Sequence, residues 1–139
     1  MQTKKINLEH EHFNKLSNEW WDENGKFKVL HQIRPIRLSY ILSQINSTNI
    51  KNLDFLDLGC GGGLVSESIS RLGGNVTGID FVKKNIEVAK HHSIKKKLKI
   101  NYFNADIENF NLNNKFDVII LFEVLEHLND WKSFLLKIK

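Results

Sequence analysis

The stretch LDLGCGGG, residues 56–63, sets glycines at 59, 61 and 63 behind an aspartate at 57. Glycines at such a turn let the backbone bend tightly and let a ligand approach without meeting a Cβ. Their alternate spacing differs from the G-x-G-x-x-G loop that receives a pyrophosphate. The carboxylate of Asp57 would repel a phosphate and favour a ligand carrying positive charge. Asp80 follows Gly59 by 21 residues, where an acid can accept hydrogen bonds from ribose hydroxyls. The residues thus point to a ligand with a ribose, no phosphate and a cationic part. S-adenosylmethionine meets all three conditions. Cys60, inside the loop, reads as a small buried residue rather than a reactive thiol.

A second group lies in FEVLEHLND, residues 122–130. Glu123, Glu126 and His127 are spaced i, i+3 and i+4, so a helix beginning there would put all three on one face. Two carboxylates and an imidazole can hold a divalent ion such as Mg²⁺ or Mn²⁺, which would chelate the adjacent oxygens of a catechol and lower a phenol pKa. Two other readings stand beside this one. The acids suit the first turn of a helix, with His127 pairing to Glu123, or His127 acts as a general base.

These residues need elements to position them. LDFLDLG, NVTGID, KINYFNAD and FDVIILFE are short apolar runs, the first three separated by helical patterns over residues 63–72 and 82–93. Strands alternating with helices predict a parallel sheet with right-handed crossovers, and runs apolar on both faces predict helices on both sides. Ligands of open α/β sheets sit at the carboxyl ends of the strands, where the glycine loop, Asp80 and Glu123 all fall. Upstream, Leu8 to Trp21 reads as a helix on Leu8, Phe13, Leu16, Trp20 and Trp21, closed by Asn24-Gly25. Pro35 suits the first turn of a second helix through Ile36, Leu38, Ile41, Leu42 and Ile45. Residues 1–50 are expected to form a helical lid, and 51–139 a ligand-binding α/β unit. Trp131, Phe134, Leu135 and Ile138 predict a helix after the fourth strand. Four strands are legible, and in an order 3-2-1-4 the apolar fourth would be a poor edge. The sequence therefore reads as the N-terminal portion of a larger domain.

A chain of 139 residues, 41% hydrophobic and 26% charged, fits one globular domain. The net charge of +4 comes from diffuse lysines at 83, 84, 95, 96, 97 and 99. They read as solvated helix ends or as contact with an anionic membrane surface. No aromatic-interleaved basic motif points to nucleic acid. A single cysteine excludes an internal disulfide. No apolar run has the length of a spanning helix, and MQTKKINLEHEHF has no signal-peptide character.

With VTGID behind it, LDLGCGGG resembles the first two motifs of class I S-adenosylmethionine-dependent methyltransferases. The resemblance implies that Gly59 and Gly61 line the methionine and ribose, that Asp80 binds the ribose, and that Asp106 sits by the adenine amino group. A helix N-cap is the other reading of Asp106. The pattern F-x-x-L-x-x-E-W-W-D-x-x-G-x-F-x-x-L-H-x-I-x-P-x-R-L-x-Y-I, from Phe13 to Ile41, resembles the N-terminal signature of the ubiquinone biosynthesis O-methyltransferase family. DLGCGGGLVSESISRLG, VTGID and EVLEH follow in that family's order. Val29 and Arg34 depart from the family's proline and asparagine without removing a ligand.

That second resemblance implies methyl transfer to a hydroxyl of a polyprenylated catechol (a polyprenyl-hydroxyphenol) and of demethylubiquinol. It implies a cytoplasmic protein, peripheral at the inner membrane face and in contact with other enzymes of that pathway. It puts Arg37 on the methionine carboxylate and Phe122 against the adenosine, and it assigns Glu123, Glu126 and His127 to a divalent metal, as in some members. Trp20 and Trp21 are expected to pack, within a lid that reaches the cofactor through Arg37. The family also continues past residue 139, through further strands and a segment for substrate and membrane.

Overall fold

The computed structural model describes residues 11, 15–111 and 113–139. Residues 15–21 are helical, while the expected contributions of Leu8 and Phe13 lie outside the described residues. The stretch stops at Asp22, whose carbonyl accepts from the Gly25 N–H at 3.1 Å and whose side chain accepts from the Asn24 N–H at 2.9 Å. This is local Asx-turn chemistry.

Helix α1 spans Lys28–Ile45 and carries Pro35 in its interior. The expectation that Pro35 opens this helix is corrected: the helix starts seven residues earlier. A mid-helix proline removes one i to i−4 hydrogen bond. The helix runs through it because Leu38, Ile41, Leu42 and Ile45 pack into the core, and burial of a helix face outweighs local propensity. Asn46, left-handed at φ 55°, ends it.

Four parallel strands follow: β1 (Asp54–Leu58), β2 (Asn75–Asp80), β3 (Ile100–Asn104) and β4 (Val118–Leu121). They stand in the order β3-β2-β1-β4, the 3-2-1-4 order that makes the fourth strand an edge, with all pairings parallel as the strand–helix alternation predicts. Between them run α2 (Leu64–Arg71) and α3 (Lys83–Lys95); a single 3₁₀ turn, Leu125–His127, and α4 (Trp131–Ile138) follow β4. Strand alternation turns Phe55, Val76 and Ile120 towards α1 and α2, and Leu56, Leu58 and Ile79 towards Phe134 of α4. Ile86 and Ala89 of α3 pack on Cys60 and Tyr102. Helices therefore cover both faces, and burying a side chain such as Phe134 contributes roughly 1.5–3 kcal/mol. β3 and β4 are the edge strands, and β4 is flanked by an apolar groove of about 660 Å³ lined by Tyr40, Ile45, Val118 and Phe122 among others.

The N-terminal segment is tied to α2 and α3 through aromatic side chains. The Trp21 indole stacks on His92 with centroids 3.7 Å apart and planes 4° from parallel. His92 Nδ1 meets the buried Glu67 carboxylate at 2.6 Å, and Arg71 reaches the other Glu67 oxygen at 3.4 Å.

Candidate ligand site at the carboxyl edge of the sheet

Parallel register decides what meets at the top of the sheet. Leu58 stands opposite both Ile79 and Leu121, so the glycine loop, Asp80 and Phe122 leave their strands side by side. The Gly59 and Cys60 N–H groups both donate to the Ile79 carbonyl, at 2.8 and 3.1 Å. Gly59 is exposed and left-handed at φ 75°. A Cβ there would be strained, and it would lie 2.5 Å from Val124 Cγ2.

Asp80 locks the loop. Its Oδ2 accepts from the Gly61 N–H at 2.9 Å, and its Oδ1 from the Val82 N–H at 2.9 Å and the Asn85 amide at 3.4 Å. A carboxylate has about four acceptor sites, so Asp80 retains capacity for a ligand hydroxyl. Asp57, on the other side of the strand from Leu56 and Leu58, is buried beneath the loop and accepts from the Ser66 hydroxyl at 2.6 Å. Burial pushes its carboxyl up to about 6; the Ser66 bond opposes this, the neighbouring Asp80 charge adds to it, and the Arg37 guanidinium lowers it. Cys60 is buried, and desolvation pushes its thiol up, as suits a packing residue.

A cavity of about 540 Å³ opens here, lined by Gly59, Asp80, Phe81, Asp106, Glu123 and His127 among others. That lies within the roughly 300–1,000 Å³ of small-molecule sites. Asp106 caps a short turn, accepting from the Glu108 N–H at 3.0 Å and the Asn109 amide at 2.8 Å, so it serves the local turn while it borders the cavity. Phe81 was not singled out from the sequence. It is 77% exposed and supplies an apolar wall. The signal that would have found it is an aromatic directly after the acid that ends β2.

The acid and histidine group is arranged differently from the expectation. Glu123 is left-handed at φ 56°, and the 3₁₀ turn begins only at Leu125, so no helix carries Glu123, Glu126 and His127 on one face. The Glu123 carboxylate turns to Arg37, with 2.8 Å between Oε2 and the guanidinium. Glu126 lies 3.9 Å from His127, both largely exposed. Among the described residues no three His, Cys, Asp or Glu side chains converge as a metal site. In this arrangement the three residues do not fit a divalent ion. Arg37 lies over the Phe122 ring, 4.8 Å from its centroid, and Phe122 faces the core and the β4 groove rather than the cavity.

A family model described as a methyltransferase domain matches residues 56–139. The chain belongs to the methyltransferase-domain family, and its fold is the Rossmann-like α/β fold of class I members. The chain is similar to the ubiquinone biosynthesis O-methyltransferase of Pelagibacter ubique, at 50% identity over 91% of this chain and 56% of that one. It is 40% identical to the protein of the same name from Rickettsia bellii, over 94% of this chain and 55% of the relative. The chain thus spans about half the length of the curated relatives it matches. In fold it is similar to coclaurine N-methyltransferase bound to N-methylheliamine and SAH, with a TM-score of 0.67 at 22% identity, covering 76% of this chain and 31% of that one. It is also similar to the magnesium protoporphyrin IX methyltransferase of Synechocystis with bound SAM, with a TM-score of 0.66 at 21% identity, covering 84% and 58%. At such identities the likeness is one of fold.

Proposed function

We propose that this chain is the cofactor-binding portion of an S-adenosylmethionine-dependent O-methyltransferase of the ubiquinone biosynthesis type. Its acceptor is a hydroxyl of a polyprenylated catechol or of demethylubiquinol. The observation that carries the reading is the cavity where the left-handed, exposed Gly59 and the acid ending β2 meet. The relatives' shared name supports the choice of acceptor. Residues 1–50 serve as the lid and 51–139 as part of the cofactor-binding unit.

S-adenosylmethionine supplies an electrophilic methyl on a sulfonium. Gly59 lets the ligand lie against bare backbone, and Gly61 keeps the loop tied to Asp80. Asp57, ionised above about pH 6, puts negative charge beneath a cationic ligand. Asp80 accepts from a ribose hydroxyl, Asp106 borders the adenine, and Arg37 exchanges Glu123 for the methionine carboxylate as a charge-assisted pair. Phe122 acts through Arg37, as the face on which the guanidinium rests. His127, exposed at the cavity rim, takes the phenol proton on a ring nitrogen. The phenolate oxygen then bonds to the methyl carbon as the carbon–sulfur bond breaks, leaving an aryl methyl ether and S-adenosylhomocysteine. No step is routed through a divalent ion. No helix among the described residues is long and apolar enough to cross a membrane, and we assign the protein a peripheral place at the cytoplasmic membrane face, where a prenylated acceptor and other enzymes of its pathway would meet it.

The test is methyl transfer to a short-chain polyprenyl catechol by the chain extended to the relatives' length, with and without Mg²⁺. Methyl ether and S-adenosylhomocysteine are expected in both arms. Absence of product in both overturns the acceptor, and strict dependence on Mg²⁺ overturns the metal-free assignment. Calorimetry that detects neither S-adenosylmethionine nor S-adenosylhomocysteine on this chain overturns the cofactor.

A further inference from the structure

Gly62 is bare for a different reason from Gly59. It is buried, it does not line the cavity, and its φ is not positive, so its backbone conformation is open to any residue. Space is what forbids a side chain there. A Cβ on Gly62 would lie 2.5 Å from Cδ2 and 2.6 Å from Cε3 of Trp20, and one on Gly61 would lie 2.9 Å from Cη2 of the same indole. The indole of Trp20 therefore lies across the loop at van der Waals contact.

Trp20 is held at its ring and at its carbonyl, and its neighbour is anchored as well. Phe27 stacks on its ring, with centroids 4.0 Å apart and planes 11° from parallel. His31 of α1 donates from Nε2 to the Trp20 carbonyl at 2.9 Å. The neighbouring Trp21 is stacked on His92 of α3. The Trp20 ring also meets the loop at Gly61 and Gly62. Gly61, under the indole's edge, donates its N–H to Asp80 Oδ2, and α1 also carries Arg37. The indole thus presses on the loop peptide that donates to the cavity's acid, from a segment anchored to the helix whose Arg37 pairs with Glu123 of the cavity lining.

We propose that Trp20 is a positioning residue: it clamps the glycine loop in its ligand-binding shape and couples docking of the N-terminal segment to cofactor affinity. Gly62 is a glycine for the sake of this indole and not of the ligand. The inference rests on the cofactor reading above.

The experiment is a double-mutant cycle on S-adenosylhomocysteine affinity, read by calorimetry, with urea unfolding of each variant in parallel. Gly62→Ala is expected to weaken binding roughly tenfold by driving the indole off the loop, and Trp20→Leu by a similar factor. The double variant is expected to bind no more weakly than Trp20→Leu alone, because the added methyl then has nothing to meet. Fold losses that simply multiply overturn the proposal, since they would show that Gly62 serves the ligand directly. Where Trp20→Leu fails to fold, Trp20→Phe in the same cycle is expected to relieve part of the Gly62→Ala loss, and no relief overturns the clamp. A wild-type chain that binds neither S-adenosylmethionine nor S-adenosylhomocysteine overturns the cofactor reading and the coupling with it, an outcome distinct from a multiplicative cycle.

Discussion

Arg37 and Glu123 close a 2.8 Å ion pair between α1 and the segment leaving β4. The guanidinium is mostly buried over Phe122, while Glu123 is largely exposed. The arginine proposed to meet the ligand carboxylate is therefore already engaged by an internal one. Exposed or half-exposed pairs of this kind contribute about 0–1 kcal/mol, so a ligand can displace Glu123 at small cost. Glu123→Gln is expected to tighten S-adenosylhomocysteine binding by about two- to fivefold, while Arg37→Ala weakens it. Calorimetry decides: tenfold weaker binding in Glu123→Gln would mean that Glu123 itself holds the ligand.

Asp57 sets a pH dependence whose sign follows from its raised carboxyl, about 6 in the fold against 3.8 ordinarily. The fold favours the protonated form. That stability is fully present below about pH 3.8 and is lost as pH rises through 6. A shift of about two units corresponds to about 3 kcal/mol. Between pH 4 and 7.5, urea unfolding of the ligand-free wild type is expected to lose up to that much relative to Asp57→Asn. Affinity for a sulfonium ligand is expected to move oppositely, rising through pH 6 in the wild type and staying flat in the variant.

Asp80 is both latch and wall, so its loss should be felt twice. Asp80→Asn replaces one acceptor oxygen by a donor and leaves the Gly61 or Val82 N–H unpaired. The expected cost is about 1–3 kcal/mol of stability, with at least about tenfold weaker S-adenosylhomocysteine binding. Unchanged affinity alongside the lost stability would confine Asp80 to the latch.

Glu67 holds His92, and His92 carries Trp21. Glu67→Ala leaves the His92 ring nitrogen without its buried partner, for an expected loss of about 1–3 kcal/mol. Tryptophan emission should shift to the red as Trp21 leaves its stack. Glu67→Gln, which still offers an oxygen at the same reach, should recover most of both effects. Equal losses from the two variants would show that the negative charge, rather than the hydrogen bond, is what matters.

The strands were legible because each is a short apolar run cut off by glycines or acids; FLDL of β1 is buried on both faces, whereas β3 and β4, at the sheet edges, are buried less completely. Asp57 and Gly59 were legible because they share one strand end and turn, and Asp80, 19 residues beyond Gly61 yet bonded to its N–H at 2.9 Å, because a parallel crossover returns the chain to the same end of the sheet. Pro35 misled because local propensity was outweighed by the burial of α1 on the sheet. Glu123, Glu126 and His127 misled because helical spacing was read through a residue that adopts a left-handed backbone to meet Arg37.

By itself, then, the sequence determined the alternation of strands and helices and the glycine turn after β1 with an acid just before it, features written in neighbouring residues. Tertiary structure alone decided which residues meet across long separations: Arg37 with Glu123, Trp21 with His92, and Trp20 with Gly62. Those meetings depend on how α1 and the helical stretch before it lie against the sheet. The packing of large side chains into the space left by small ones sets that placement, and no local pattern encodes it.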